Sequence, residues 1–545
     1  DREFYLLAGS PQMSDGGLNE LESQFQLKPR EKRTFRLVMA IAKDEKTARS
    51  RVKNWLKKIR PLKSHQKEYA SWFQENIPYF HCSDNWLNHL YYLRWQNLRR
   101  NYYAPESGFL KFPAFAAMRG DFFYFTGTYL SGFSNLLQEL RWLKEAHWGE
   151  EAFLNFIDNM SIDNQLPAMI FTNSIEYTEN PTESLFHALY QFYLAQLNTH
   201  FISAQLPRMK KHVAASKLNL ENDTLAFFSG SMSNKNKFGN TNESPLSGSD
   251  STFKKIQNLF PAISAYYQNC SSIALISELV GDLGKPNIYS ELTRQVQKLI
   301  QTGFINPIFQ LSPEFVSSNS WIFPWYQVRE CLTDSMKQEL WRKFYNYLES
   351  SEMITTPFTI EDSAANLPGI EKMRSDLTEL STFQFSNYLS FLIQFLHEKP
   401  TSDNEKNYFW KLLIHYATRQ NQQFDSINIR TNTEVLPEIS FQTPKNVETF
   451  AHTKFTDFLI TGLIGLIPSR DRNKLLFDPL VPPEVLDFFM MEKIPYHGHE
   501  INVVWDKPGG IDFLNDQLDG FQVYVGRQLK VNERTLQRIE IFWDE

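Results

Sequence analysis

The spacing of apolar residues switches twice along the chain. Residues 32–42, KRTFRLVMAIA, form a short run rich in Val, Leu and Phe. That pattern predicts a strand, and the polar stretch DEKTARSRVKNWLKKI predicts a helix that opens at Asp44. From residue 66 to 467 the apolar positions recur with a helical period. In DNWLNHLYYLRWQNLRRNYY, Ser83 stands where a cap is needed, and Trp86, Leu87, Leu90, Tyr91, Leu93 and Leu98 make the helix apolar over most of its surface. NPTESLFHALYQFYLAQL has Asn180 as cap, Pro181 at the first helical position and Glu183 three residues after the cap. The pattern continues to HTKFTDFLITGLIGLIP, where Pro468 is the expected stop, and it amounts to about ten to twelve helices. After Pro468, EINVVWD, FQVYVG and RIEIFWDE return to strand character, with KPGG as a turn. The expected order is strand, helix block, strand.

A chain of 545 residues is long enough for two to four domains or one large barrel. Its 42% apolar and 22% charged residues are those of a soluble globular protein. Aromatic residues make up 15%, which suits thick helix packing first and stacking on sugar faces second. A net charge of −6 offers no basic field, so nucleic acid is not an expected partner. The longest apolar run, FLITGLIGLI, has about half the ~20 residues that a membrane span needs. Cys82, Cys270 and Cys331 are too scattered for a disulfide framework or a metal knuckle, and no cofactor is expected. The compartment stays open. A first residue of Asp rather than Met is expected of a processed or partial chain.

Residues 455–510, FTDFLITGLIGLIPSRDRNKLLFDPLVPPEVLDFFMMEKIPYHGHEINVVWDKPGG, resemble the end of the (α/α)6-barrel glycoside hydrolases similar to families 63 and 37, the processing glucosidases and trehalases. WLNHLYYLRWQNLRRNY resembles the first barrel helix of that group. RTFRLVMAIAKDEKTARSRVKNWL resembles the end of its amino-terminal β-sandwich and linker helix. The resemblance implies a mainly α protein, an (α/α)6 barrel with flanking β-domain elements at both ends. Residues 1–65 would be the end of a sandwich plus linker, 66–474 the barrel, and 475–545 a small β-domain. Most of the sandwich would lie outside this sequence.

The chemistry implied by the resemblance is inverting hydrolysis. It needs a protonated carboxyl and a carboxylate about 6.5–9.5 Å apart. The group's acid motif, E-S-G-x-D-x-S-S-R, matches here at 228–236, where Ser229 and Gly230 remain. Phe228, Met232 and Asn236 replace the Glu, the acid and the Arg. Methionine cannot protonate a leaving oxygen. The group's base, a Glu in a loop before the last helices, corresponds to Glu438 in TEVLPEISF, with Glu434 as the alternative. The tryptophan-rich cleft motif is replaced by STFQFSNYLSF. Asp121 is the candidate substitute acid, with Asp223 and Asp250 as others, and Arg119 and Trp86 are candidate sugar-binding residues.

His497 and His499 stand two apart on an expected strand, which would place both on one face. Two ligands fall short of a zinc site, so a structural pair is expected, with no metal. The sequons at Asn159, Asn222, Asn242 and Asn269 are of the frequency an Asn-rich chain carries by chance. Three functions remain open: a glycosidase-like protein with impaired hydrolysis that binds a carbohydrate or a protein partner, an active inverting exo-glycosidase on α-linked glycans, or a scaffold subunit.

Overall fold

The computed structural model describes residues 5–9, 14–17, 20–22, 30, 38–42, 44–58, 60–105, 108–115, 127–130, 132–177, 184–216, 250–282, 288–301, 327–339, 382–398, 401–425, 454–510 and 519–543. The chain forms two compact units, Asp1–Asn76 and Ile77–Glu545.

In the first unit, strands β1 (Tyr5–Gly9), β2 (Ser14–Gly17), β3 (Glu20–Glu22) and β4 (Val38–Ala42) precede helices α1 (Glu45–Lys57) and α2 (Pro61–Asn76). The strand expected from KRTFRLVMAIA is β4, antiparallel to β1, with Tyr5 opposite Ala42. Asp44 starts α1 as its spacing suggested, since its carboxylate accepts the Thr47 N–H at 2.8 Å. Ala48 and Val52, four apart, form the buried stripe of α1.

The second unit begins with β5 (Tyr79–Cys82) and α3 (Asn85–Asn101). Asp84, not Ser83, caps α3, taking the Leu87 N–H at 2.9 Å. Ser83 is engaged by the C-terminal strands instead: its N–H donates to Phe488 O and its hydroxyl accepts the Asp487 N–H, each at 3.0 Å. Helix α3 buries one stripe, Leu87, Leu90, Tyr91, Arg94, Trp95 and Leu98, rather than most of its surface.

Short strands β6 (Tyr102–Tyr103), β7 (Ala114–Phe115) and β8 (Gly127–Tyr129) follow, then α4 (Phe133–Leu140) and α5 (His147–Asp158). Strands β9 (Pro167–Phe171) and β10 (Ile175–Tyr177) lead to α6 (Leu185–Gln196) and α7 (Thr199–Ala215). Helix α6 starts at Leu185 with Ser184 in the cap position and no side-chain cap bond, and the expected cap at Asn180 lies outside the described residues, as do Pro181 and Glu183. The Phe186 N–H, in the first turn, donates across to Asn269 Oδ1 at 3.0 Å, which satisfies one of the amide donors that a helix start leaves over.

Helices α8 (Asp250–Leu279), α9 (Ile288–Ile300), α10 (Thr382–His397) and α11 (Asp403–Asp425) continue the block. A capping box does occur at α11, where Ser402 and Glu405 bond each other's backbone N–H. The last helix, α12 (Phe455–Asp457), runs on as a π-helix over Phe458–Leu463, the FTDFLITGL run of the resemblance. Its end is set by Gly465 rather than Pro468. Gly465 has φ of 81°, and a Cβ there would lie 2.2 Å from the Asp478 carbonyl carbon.

Seven strands follow among the described residues: β11 (Leu466–Ile467), β12 (Lys474–Phe477), β13 (Phe488–Tyr496), β14 (His499–Asp506), β15 (Gly520–Val525), β16 (Gln528–Glu533) and β17 (Ile539–Phe542). They form a sheet β11-β12-β17 and an antiparallel sheet β16-β15-β14-β13-β5. One edge strand of the larger sheet, β5, thus comes from the start of the unit. The described residues are mainly helical, with strands before and after the helices and, unlike the expected unbroken helix block, short strands β5–β10 among them. No described helix is long and apolar enough to cross a membrane.

Candidate functional site

Helix α4 packs against α6 and α12, and α6 against α8. Helix α4 is wholly buried, yet its last turn and the residues after it read Gln138, Glu139, Leu140, Arg141, Trp142. Charges placed there need partners, because an unpaired buried ion is costly. Glu139 is 0% exposed and receives Arg94 Nε on both oxygens, at 3.0 and 2.9 Å. Its Oε1 also accepts the Thr456 N–H at 3.1 Å and hydroxyl at 2.8 Å. Arg141 donates to Asp457 Oδ1 from Nη2 at 2.7 Å and from Nε at 3.1 Å. The same oxygen takes the Trp142 indole N–H at 2.7 Å.

These two carboxylates anchor α3, α4 and α12 to one another. With guanidinium, hydroxyl, indole and backbone donors already on them, they are poorly placed to activate a water or hand on a proton. Lys454, 1% exposed, donates to Gln138 Oε1 at 2.8 Å. Burial pushes its ammonium down to about 8, against the pull of Asp457 and with the push of Arg141.

His187, on α6, faces this cluster. Its Nδ1 lies 3.3 Å from the Ser272 hydroxyl of α8, while Nε2 is buried and has no hydrogen-bond partner among the described residues. Burial, then the charges of Arg329, Lys454 and Arg141, lower the imidazole to about 3, so it is neutral at ordinary pH. Contacts on either side fix the surroundings. One turn further along α6, Arg141 Nη1 reaches Gln191 O and Oε1 at 3.4 Å each. Three residues before His187, Gln327 donates to the Ser184 hydroxyl at 3.4 Å.

The candidates Glu438, Glu434, Asp121, Arg119, Asp223 and the replaced acid position Met232 lie outside the described residues. Asp250 is the first residue of α8. Trp86 stands in the first turn of α3, 42% exposed. The inner cluster was not foreseen, although two signals existed. Asp457 interrupts a long apolar run, and Glu139 and Arg141 interrupt a buried helix; each charge in such a setting requires an opposite one.

His497 and His499 do not share a strand face. His497 (φ 53°) and Gly498 (φ 80°) are the two central residues of a tight turn, and Tyr496 pairs with His499 across it. His497 Nδ1 lies 2.9 Å from Arg472 O and Nε2 2.8 Å from Leu194 O, near the C-terminal end of α6. With both ring nitrogens directed at carbonyls, His497 serves as a cross-link, whereas the His499 ring meets the edge of Trp543. The sequons Asn159 and Asn269 are buried, and the Asn159 amide donates to Phe109 O and Asn155 O.

No protein-family model and no curated protein sequence matches the chain. Among solved structures it is similar to a sialidase, with a TM-score of 0.59 and 16% identity over 87% of this chain and 42% of that one. It is also similar to an α-L-rhamnosidase from Dictyoglumus thermophilum, with a TM-score of 0.50 and 11% identity over 83% of this chain and 44% of the other. The chain thus spans less than half the length of either structure. At such identities the likeness concerns the fold, and the fold is glycosidase-like.

Proposed function

We propose that this chain is a glycoside hydrolase-like protein, related to the family 63 and 37 group, in which hydrolysis is impaired and saccharide binding is kept. In this reading the helices from 66 to 474 close into an (α/α)6 barrel, with 1–65 as the end of a β-sandwich and 475–545 as a β-domain. The observation that carries the reading is Met232 at the position of the general acid. Two further facts support it. The fold is shared with a sialidase and an α-L-rhamnosidase. The inner carboxylates Glu139 and Asp457 are already bonded to arginines, so neither stands ready to replace the acid. Glu438 is assigned as the remaining base.

A positioned general acid contributes roughly 10²–10⁴-fold in rate, and most for leaving groups that must be protonated. Natural α-linked disaccharides should therefore be cleaved very slowly or not at all. Aryl glycosides with good leaving groups should show weak turnover that Glu438→Gln abolishes. Rapid cleavage of a natural disaccharide by the native chain would overturn the reading.

A further inference from the structure

We propose that the junction of helices α1 and α2 docks on an anionic lipid surface. Residues 46–67 hold nine of the chain's 56 basic residues and none of its 62 acidic ones, so the net charge of −6 conceals a locally cationic segment. Part of that charge is already used. Lys58 lies 3.2 Å from Glu68 and 4.3 Å from the Trp55 ring centroid, and Arg49 pairs with Glu45. Lys46, Lys53, Lys57, Arg60, Lys63 and Lys67 are exposed and make no ion pair among the described residues. Lys46, Lys53 and Lys57 recur at helical spacing on the side of α1 away from the buried Ala48 and Val52.

Cations on a helix surface commonly do no more than stay solvated and complement a helix C-terminus. Two apolar side chains set this junction apart. Trp55, in the last turn of α1, is 39% exposed, and Leu62, in the first turn of α2, is 65% exposed. Each stands within one turn of the junction, beside Lys57, Arg60 and Lys63, and the Lys58–Glu68 pair ties the end of α1 to α2. A nucleic-acid backbone would meet the cations and leave Leu62 in water. The surface of an anionic bilayer takes both, because headgroup phosphates meet the cations while a Trp ring and a Leu side chain enter the boundary with the acyl chains. The contact is peripheral, since neither helix is long and apolar enough to cross.

The test is sedimentation of the full chain with phosphatidylcholine vesicles, without and with about one third phosphatidylglycerol, at low and high salt. The native chain should sediment with the anionic vesicles at low salt, less at high salt, and not with the neutral ones. Replacing Lys57, Arg60 and Lys63 together by Gln should weaken binding about a hundredfold, at roughly fivefold for each cation near the surface. Leu62→Ser should weaken it about tenfold. Tryptophan emission of the native chain should shift to the blue on adding anionic vesicles, and Trp55→Phe should remove that shift. The replaced side chains are exposed, so the urea midpoints of the variants should match the native one, and the salt dependence and emission shift of the native chain need no variant. Absence of binding to anionic vesicles, or binding that the triple variant keeps in full, would overturn the proposal. Short double-stranded DNA bound through these cations, with vesicles left unbound, would overturn the lipid as partner.

Discussion

Helix α6 has a histidine contact at each end, and the two differ in how far their bonding is complete. Near the N-terminal end, His187 Nε2 has no hydrogen-bond partner among the described residues. At the C-terminal end, His497 reaches in from the β13–β14 turn with carbonyls against both ring nitrogens, and its own N–H donates to Ala195 O at 3.0 Å. Burial lowers both imidazoles, but at His497 the carbonyls of Arg472 and Leu194 pull it back up, and at His187 three cations push it further down. One contact is finished by the chain itself and holds a sheet to a helix. The other is left incomplete by the described residues. Saturated polar groups fix structure more firmly than unsaturated ones.

The comparison can be broken most strongly at the charges that surround the N-terminal end. Glu139→Ala would leave Arg94 buried without its carboxylate and remove the acceptor of Thr456. We expect a loss of roughly 3–5 kcal/mol, read as a large fall in the urea midpoint. An unchanged midpoint would mean that the inner cluster is not the anchor described. Next in size is His497→Ala, which strands the carbonyls of Leu194 and Arg472 and should cost about 1–3 kcal/mol. If it cost no more than a surface substitution, the distinction between the two ends of α6 would fail.

A pH series sharpens the same comparison. His187 has a folded value of about 3 against an ordinary value near 6.5. A group depressed on folding contributes stability above its unfolded pKa and loses it as pH falls, because the unfolded chain takes up the proton first. Acidification from pH 7.5 to 5.5 should therefore cost roughly 1 kcal/mol through this residue. Urea midpoints of His187→Gln should decline less over that range than those of the native chain. The smallest effect is expected for His187→Gln at pH 7.5. A part-buried ring with one long bond to Ser272 should cost roughly 0.5–1 kcal/mol on replacement, below that of His497→Ala.

Much of the local structure was legible from the chain. Asp44 caps α1 because a short carboxylate before a helical run has an N–H to accept three residues on, which spacing alone reveals. The β-character after 468 and the mainly helical character before it were also clear, but the short strands β5–β10 were not. Legibility failed where a distant partner decides. Ser83 has the right type for a cap, but the strand beside it holds it in the sheet and Asp84 takes the role. Pro468 is a helix stop by type, yet the close approach of Asp478 to Gly465 ends the helix earlier. The site was least legible. Glu139 meets Thr456 across 317 positions, a pairing that no periodicity contains. His497 and His499 were read from strand alternation, which a left-handed turn between them cancels.

On the proposed reading, this glycosidase-like chain holds a saccharide without cleaving it. The most direct measurement follows anomeric proton resonances of an α-linked disaccharide incubated with the native chain at a concentration that saturates binding. The account predicts broadened or shifted resonances from the bound sugar, with the interglycosidic signal intact after many hours. Loss of that signal at an enzymatic rate, with appearance of the inverted free sugar, would contradict it.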